Sequence, residues 1–132
     1  MTGGAIGVAG AGAFGVALAV ALARDGKAVR LWGREPGLAA RRESLRLPGL
    51  RLTETVDVVH SVSALAEGGP VLLAMPMQAL RGFLADEGRV LLASDLVACC
   101  KGIDLETLVG PAEVMQAAGA TGAVSVLTGP SF

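Results

Sequence analysis

The glycine spacing near the start of the chain constrains the fold more than any other sequence feature. Gly10, Gly12 and Gly15 directly follow the apolar run 5–9, and the apolar segment 16–19 continues after them as a candidate helix. A GxGxxG pattern between a strand and a helix is typical of a dinucleotide phosphate loop, in which glycines allow a tight turn, close backbone approach and close helix packing. The N-terminus of the helix adds free N–H groups and positive potential. The sequence therefore predicts a pyrophosphate site at this loop.

The remainder of the chain alternates short apolar runs with segments of helical spacing. Six runs are predicted as strands: Ala5–Ala9, Ala28–Trp32, Val56–Val59, Val71–Met75, Leu96–Cys100 and Ala123–Leu127. Helical segments are predicted at Ala13–Arg24, Pro36–Arg46, Met77–Leu84 and Leu105–Ala118, with a short turn at Val62–Ala66. This alternation indicates an α/β fold with a Rossmann-like, doubly wound and mainly parallel sheet.

Composition and charge narrow the class of ligand. Hydrophobic residues make up 52% of the chain and charged residues 17%, which excludes disorder and suits a sheet covered on both faces. The net charge of -1 gives no reason to expect nucleic acid. Eight of the eleven basic residues lie in the window 24–51, so its local field favours an anionic small molecule, although Arg41, Arg42 and Arg46 are interpreted as a solvated helix face.

Neither a membrane span nor a metal site is expected. The uncharged stretch 2–23 is long enough to cross a bilayer, but it is mostly Ala and Gly, and its glycines match a phosphate loop. Cys99 and Cys100 are neighbours without metal-ligand spacing, and a disulfide between them would be strained. Because no charged leader precedes an apolar stretch, we expect reduced thiols and a cytoplasmic protein.

The end of the second predicted strand bears on the choice of nucleotide. An acidic residue at this position reads the ribose of NAD, whereas an arginine accommodates the 2′-phosphate of NADP. The chain has Arg34 followed by Glu35. Arg34 could pair with the 2′-phosphate through two hydrogen bonds or stack on the adenine, and we favour NADPH. The alternative is that Arg34 is a solvated loop residue and Glu35 accepts the ribose hydroxyl of NADH.

Three further positions follow predicted strands at the edge where open α/β sheets bind ligands. Pro76 begins the helix after the fourth strand and is expected to line the nicotinamide path, although an ordinary turn fits equally well. Lys101 follows the fifth strand and could hold a phosphate or polarise a carbonyl, with a surface lysine as the alternative. Gly129 and Ser131 follow the sixth strand and could contact an anion.

The chain ends at Phe132 soon after the last predicted strand, with no helix to close the final unit. We interpret residues 1–132 as one dinucleotide-binding domain truncated at its C-terminal end.

Several of these motifs occur together in a recognisable order. They are Gly10–Gly15, Leu31-Trp32-Gly33-Arg34, Leu47-Pro48-Gly49, Ala74–Arg81, Cys100-Lys101-Gly102-Ile103 and Thr128–Phe132. The chain resembles bacterial-type NAD(P)-dependent glycerol-3-phosphate dehydrogenase along its whole length. The resemblance implies reversible reduction of dihydroxyacetone phosphate to sn-glycerol 3-phosphate for phospholipid synthesis, by a cytoplasmic protein that is a homodimer at full length.

The resemblance also assigns roles to residues. It implies that Ala13, Phe14 and Arg34 contact the nucleotide, that Lys101 contacts both cofactor and substrate, and that Gly129 and Ser131 contact the substrate. Ala13 and Phe14 replace the family's usual Ser and Trp, which removes one side-chain contact to phosphate, and Met77 replaces a common serine.

The resemblance implies that the catalytic lysine and the C-terminal helical domain lie beyond Phe132. No catalytic acid or base is therefore expected within the chain, and we expect cofactor binding with little or no turnover in isolation. Two other functions stay open, namely a non-catalytic NAD(P) sensor module and a related hydroxyacid or ketoacid reductase.

Overall fold

The computed structural model describes residues 4–127 and contains one six-stranded sheet. The strands are β1 (Ile6–Ala9), β2 (Val29–Trp32), β3 (Val56–Val58), β4 (Val71–Leu73), β5 (Leu96–Ala98) and β6 (Val124–Val126). Their order is β3-β2-β1-β4-β5-β6, and all five neighbouring pairs are parallel. This is the strand order of a doubly wound dinucleotide-binding fold, which confirms the predicted fold class. The order reverses between β1 and β4, so a crevice opens at their carboxyl ends.

Four α-helices connect the strands: α1 (Ala13–Arg24), α2 (Leu38–Arg41), α3 (Met77–Ala85) and α4 (Pro111–Ala117). Two 3₁₀ helices, Val62–Ala66 and Glu87–Leu91, complete the connections. The predicted bounds of α1 and of the turn at 62–66 match the structure. Within residues 4–127, no helix is both long and apolar enough to cross a membrane.

The sheet buries apolar side chains on both faces. Along β4, Val71 and Leu73 pack into the cluster beneath α3 and α4, whereas Leu72 points into the cluster around α1. Val8 and Leu31 are completely buried on the α1 side. A strand buried on both faces needs an apolar residue at every position, which explains why β1 and β4 appear in the sequence as continuous apolar runs.

Helix α2 is much shorter than the predicted segment Pro36–Arg46. Gly37 and Arg42 both adopt left-handed backbone conformations, with φ of 76° and 59°, and they bound the helix on either side. The Arg42 guanidinium donates to the carbonyl oxygens of Thr53 and Val56 at 2.7 and 2.6 Å, which fixes the chain where it leaves the helix. Arg41, Arg42 and Arg46 therefore do not share one solvated helix face, and that interpretation was wrong.

The segment before α4 is a loop, although Leu105–Ala118 was predicted as one helix. The buried Asp104 carboxylate accepts hydrogen bonds from the N–H groups of Glu106 and Thr107, and Leu108 has a left-handed φ of 61°. Side-chain acceptance of these N–H groups competes with helix formation. Pro111 then starts α4 at the first helical position, where its missing N–H is not needed.

Candidate functional site at the carboxyl ends of the central strands

A cleft of about 860 Å³ opens at the carboxyl ends of β1, β2 and β4. Its walls are the loop after β1, the loop after β2 and one side of α3 with the turn that follows it. The predicted site residues on its lining are Gly10, Gly12, Arg34 and Pro76. The cleft lies at the reversal of strand order between β1 and β4, where ligands bind in open α/β sheets.

The three glycines of the loop have different environments. Gly10 has a left-handed φ of 115°, and a Cβ there would press on the backbone of Ala74, the residue after β4. Gly15 is buried, and a Cβ there would collide with the carbonyl group of Gly10. A Cβ on Gly12 would meet no atom within 4 Å, so the open space at Gly12 belongs to the cleft. Gly10 and Gly15 are thus required by packing, whereas Gly12 leaves room for a ligand.

The first turn of α1 is uncapped by side chains. Gly12 is the N-cap residue, and its carbonyl oxygen accepts the N–H of Val16 at 3.0 Å. Among residues 4–127, no side chain is hydrogen-bonded to the helix N-terminus, and the first turn contains no acidic residue. Ala13 and Phe14 are exposed in this turn, with 54% of Phe14 accessible. The free N–H groups and the positive end of the helix are therefore available to an anion next to Gly12.

Arg34 lies at the end of the cleft beyond β2. Its guanidinium is 5.8 Å from the centre of the Trp32 ring, and Trp32 in turn packs against Phe83 of α3 with ring centres 5.8 Å apart. The guanidinium also donates to the Glu87 carboxylate, which belongs to the 3₁₀ helix after α3. Arg34 therefore lines the cleft with its guanidinium already paired with the Glu87 carboxylate.

Glu35 is held by structural hydrogen bonds. Its carboxylate accepts from the Ser44 hydroxyl at 3.0 Å, from the Leu45 N–H at 3.2 Å and from the Arg41 guanidinium at 2.5 Å. Partial burial opposes ionisation, but the bonds from Leu45, Ser44 and Arg41 outweigh it and lower the pKa of Glu35. Both oxygens are occupied, so this carboxylate serves the loop after β2 rather than standing free for a ribose.

Helix α3 joins the cleft to the loop that carries Lys101. Pro76 is the N-cap of α3 and lines the cleft. Gln78 donates to the Ile103 carbonyl oxygen at 2.7 Å and accepts from the Leu105 N–H at 2.9 Å. Lys101 itself is exposed after β5 and is not part of the cleft lining.

An ion pair from the next turn of α3 strengthens this attachment. Arg81 donates to the Asp104 carboxylate at 2.7 Å and to Glu106 at 2.6 Å. Hydrogen bonds from the Glu106 N–H and from Arg81 lower the pKa of Asp104. The loop is therefore fixed to α3 at two successive turns.

The structure thus brings together Gly10, Gly12, Arg34 and Pro76, with Ala13 and Phe14 on the adjoining helix turn. Gly15 supports the loop from beneath. Gly129 and Ser131 lie outside the described residues. Across the described part of the chain, His, Cys, Asp and Glu side chains form no group of three that could hold a metal ion.

Several residues that line the cleft from the side of α3 were not predicted from the sequence. They are Gln78, Ala79, Gly82, Phe83, Asp86 and Glu87. The glycine in the middle of α3 was the sequence signal that could have indicated them. Gly82 weakens the helix, and a Cβ there would meet nothing within 4 Å. Asp86 and Glu87 carry no comparable signal in the sequence around them.

Comparison with known proteins agrees with this geometry. The family model described as the N-terminus of NAD-dependent glycerol-3-phosphate dehydrogenase matches residues 5–132. A glycerol-3-phosphate dehydrogenase [NAD(P)+] from Paracoccus denitrificans (strain Pd 1222) is 47% identical over 127 residues, covering 96% of this chain and 40% of the relative. The corresponding enzyme from Ruegeria sp. (strain TM1040) is 41% identical over 132 residues, covering 96% of this chain and 41% of the relative.

A solved structure agrees as well. The crystal structure of glycerol-3-phosphate dehydrogenase from Coxiella burnetii superposes with a TM-score of 0.78 at 28% identity, covering 96% of this chain and 41% of that one. The chain thus spans about 40% of the length of these relatives. With a phosphate loop, a matching strand order and this match over almost every residue, the chain belongs to the family of the N-terminal region of NAD-dependent glycerol-3-phosphate dehydrogenases.

Proposed function

We propose that the chain is the nucleotide-binding part of an oxidoreductase that transfers a hydride between NAD(P)H and dihydroxyacetone phosphate, giving sn-glycerol 3-phosphate for glycerophospholipid synthesis. The observation that carries the proposal is the uncapped helix N-terminus at Gly12, which opens onto a cleft at the reversal of strand order. The names of the relatives support the substrate. By the same resemblance, the whole protein is a cytoplasmic homodimer.

The residues present fit a dinucleotide. The cleft volume of about 860 Å³ is within the usual range for small-molecule sites. The missing Cβ of Gly12 leaves space beside the helix N-terminus for a pyrophosphate, which backbone N–H groups would hold without the serine hydroxyl that relatives usually have at Ala13. Phe14, exposed in the same turn, offers an apolar surface to the nucleotide.

Arg34 supports a preference for NADPH. It lies at the cleft end beyond β2, where a guanidinium can pair with a 2′-phosphate through two hydrogen bonds. Glu35 is poorly suited to accept a hydrogen bond from a ribose hydroxyl, because its oxygens already accept hydrogen bonds from Arg41, Ser44 and Leu45. The alternative in which Glu35 selects NADH therefore has less support.

The chain contributes binding and electrostatic stabilisation to the reaction. A bound nicotinamide supplies the hydride for carbonyl reduction. Pro76 lines the part of the cleft that would exclude water from this group. The Lys101 ammonium would contact the cofactor and hold the substrate carbonyl oxygen as negative charge develops on it. By the same resemblance, Gly129 and Ser131 would contact the substrate.

The general acid/base lysine is assigned by resemblance to the part of the relatives that this chain does not span. Loss of a general acid or base alone lowers rates by roughly 10²- to 10⁴-fold. The isolated chain should therefore bind nucleotide and show little or no turnover.

A chimera tests the proposal most directly. Residues 1–132 would replace the matching segment of the Paracoccus denitrificans relative, and oxidation of NADPH would be followed with and without dihydroxyacetone phosphate. Lys101→Ala should lower kcat/KM at least a hundredfold, because a removed oxyanion partner costs about 10²- to 10³-fold. Lys27→Ala is the matched control, since Lys27 is the other lysine of the chain and is ion-paired with Asp25 on the surface.

A folded chimera that oxidises no NADPH in the presence of dihydroxyacetone phosphate would refute the proposed activity. If Lys101→Ala and Lys27→Ala lower kcat/KM equally, Lys101 has no role in the site, although the proposed activity still holds.

A further inference from the structure

Arg34 meets its carboxylate partner from a distant part of the chain. Glu87 is 53 residues away in sequence and lies at the start of the 3₁₀ helix after α3. Both side chains line the cleft, and 74% of the Arg34 side chain and 39% of the Glu87 side chain are exposed. The ion pair therefore bridges the two walls of the cleft at the end where Arg34 would meet a 2′-phosphate.

We propose that Glu87 is a specificity-determining residue that reduces the preference for NADPH over NADH by competing for Arg34. The inference rests on the proposed function, because it assumes that the cleft binds a nicotinamide dinucleotide. A 2′-phosphate must displace the Glu87 carboxylate to pair with Arg34. NADH carries a neutral hydroxyl at that position, which does not require Arg34 and leaves the ion pair in place.

Other charged groups around Arg34 do not account for the same effect. Glu35 is adjacent in sequence, but its oxygens are held by Arg41, Ser44 and Leu45. Asp86 lines the cleft, yet within residues 4–127 the carboxylate bonded to Arg34 is that of Glu87. Removing Glu87 should therefore act on NADPH through Arg34, whereas removing Asp86 changes only the general field.

The expected effect is modest, because the pair is exposed and solvent screens it. The interaction strengths of exposed ion pairs correspond to changes in an equilibrium constant of up to about fivefold, and the direct contact between Arg34 and Glu87 favours the upper part of that range. Glu87→Gln keeps the side-chain length and removes the charge. We expect it to tighten NADPH binding about threefold to fivefold and to change NADH binding less than twofold.

The experiment is a double-mutant cycle in the 132-residue chain. Wild type, Glu87→Gln, Arg34→Ala and the double variant would be titrated with NADPH and with NADH at fixed ionic strength, following fluorescence transfer from Trp32, the single tryptophan. Asp86→Asn is the matched control. Urea midpoints would establish that every variant is folded.

The inference predicts that Glu87→Gln has no effect on NADPH binding once Arg34 is absent. It is overturned if the gain persists in the Arg34→Ala background, if Asp86→Asn gives the same gain, or if NADH binding improves equally. Failure of the folded wild-type chain to bind either nucleotide would instead overturn the proposed function, and the inference with it.

Discussion

Replacing Gly15 with alanine adds a methyl group where the phosphate loop packs most tightly. The new Cβ would lie 2.9 Å from the carbonyl carbon of Gly10, closer still to its oxygen, and 3.3 Å from the Cβ of Ala74. These neighbours include backbone of the loop itself, which cannot move aside as the end of a flexible side chain can. The substitution should therefore separate α1 from the carboxyl ends of β1 and β4.

The magnitude follows from two opposing effects. Alanine is favoured over glycine in a helix by about 1 kcal/mol. Overpacking a filled site typically costs about 1–3 kcal/mol, and the contact with rigid backbone at Gly15 is at the upper end or beyond. We expect Gly15→Ala to lower the free energy of unfolding by about 2 kcal/mol, which moves a urea midpoint by roughly 1 M for a small domain.

Gly12→Ala is the matched comparison within the same loop. Its Cβ meets no protein atom within 4 Å and its φ of -73° suits any residue, so the free energy of unfolding should change by less than about 1 kcal/mol. The methyl group would, however, occupy the space at the helix N-terminus that the nucleotide needs. NADPH binding should weaken at least tenfold, because the second glycine allows the close backbone approach.

Both effects can be followed by Trp32 fluorescence, because this tryptophan is 8% exposed, packs on Phe83 and lines the cleft. Urea titrations give the free energy of unfolding, and NADPH titrations give affinity. If the free energy of unfolding of Gly15→Ala is within about 0.5 kcal/mol of the wild-type value, Gly15 is not packed as tightly as described. If Gly12→Ala binds NADPH as tightly as wild type, the loop does not hold the pyrophosphate as described.

Two further predictions concern groups away from the cleft. Asp104 has a lowered pKa because the Glu106 N–H and Arg81 stabilise its charge, so its contribution to stability is complete above about pH 4 and is lost as pH falls through its folded-state pKa. Urea midpoints should therefore be lower for Asp104→Asn at pH 7, and the gap to wild type should narrow as the medium is acidified; a constant gap would contradict this account. Burial raises the pKa of the Cys99 thiol to about 11. Its reaction with a disulfide reagent at pH 8 should therefore be slow in the folded chain and fast in urea. Equal rates would show that the thiol is not shielded.

The strands and the first helix could be predicted because their signals are local. Strands β1 and β4 are buried on both faces, so their residues form apolar runs that can be recognised without knowledge of their neighbours. Helix α1 starts at Ala13, directly after its N-cap residue Gly12, and both its bounds were predicted. The strand order then follows from the fold class that these elements define.

The errors arose where side chains make backbone bonds that helical spacing does not reveal. Arg42 reaches Thr53 and Val56 across the loop after β2, and the chain leaves the helix at that residue. Asp104 captures two N–H groups that a helix starting at Leu105 would otherwise use internally. Both are polar residues in stretches with acceptable helical periodicity, so the pattern alone favoured a longer helix.

The candidate site divides in the same way. The glycine loop and Arg34 were predicted because each follows a recognisable strand. Glu87 reaches the cleft because α3 packs against Trp32 through Phe83 and the 3₁₀ helix that begins at Glu87 follows directly after α3. A contact across 53 residues depends on packing between elements, which no local pattern encodes.

Gly82 gives the cleft a way to change without loss of the fold. It lies in the middle of α3, where glycine weakens a helix by about 1 kcal/mol relative to alanine, and the space above it opens into the cleft. Gly82→Ala would stabilise the helix and at the same time narrow the space for a ligand. Helix stability and ligand size therefore place opposite demands on this one position.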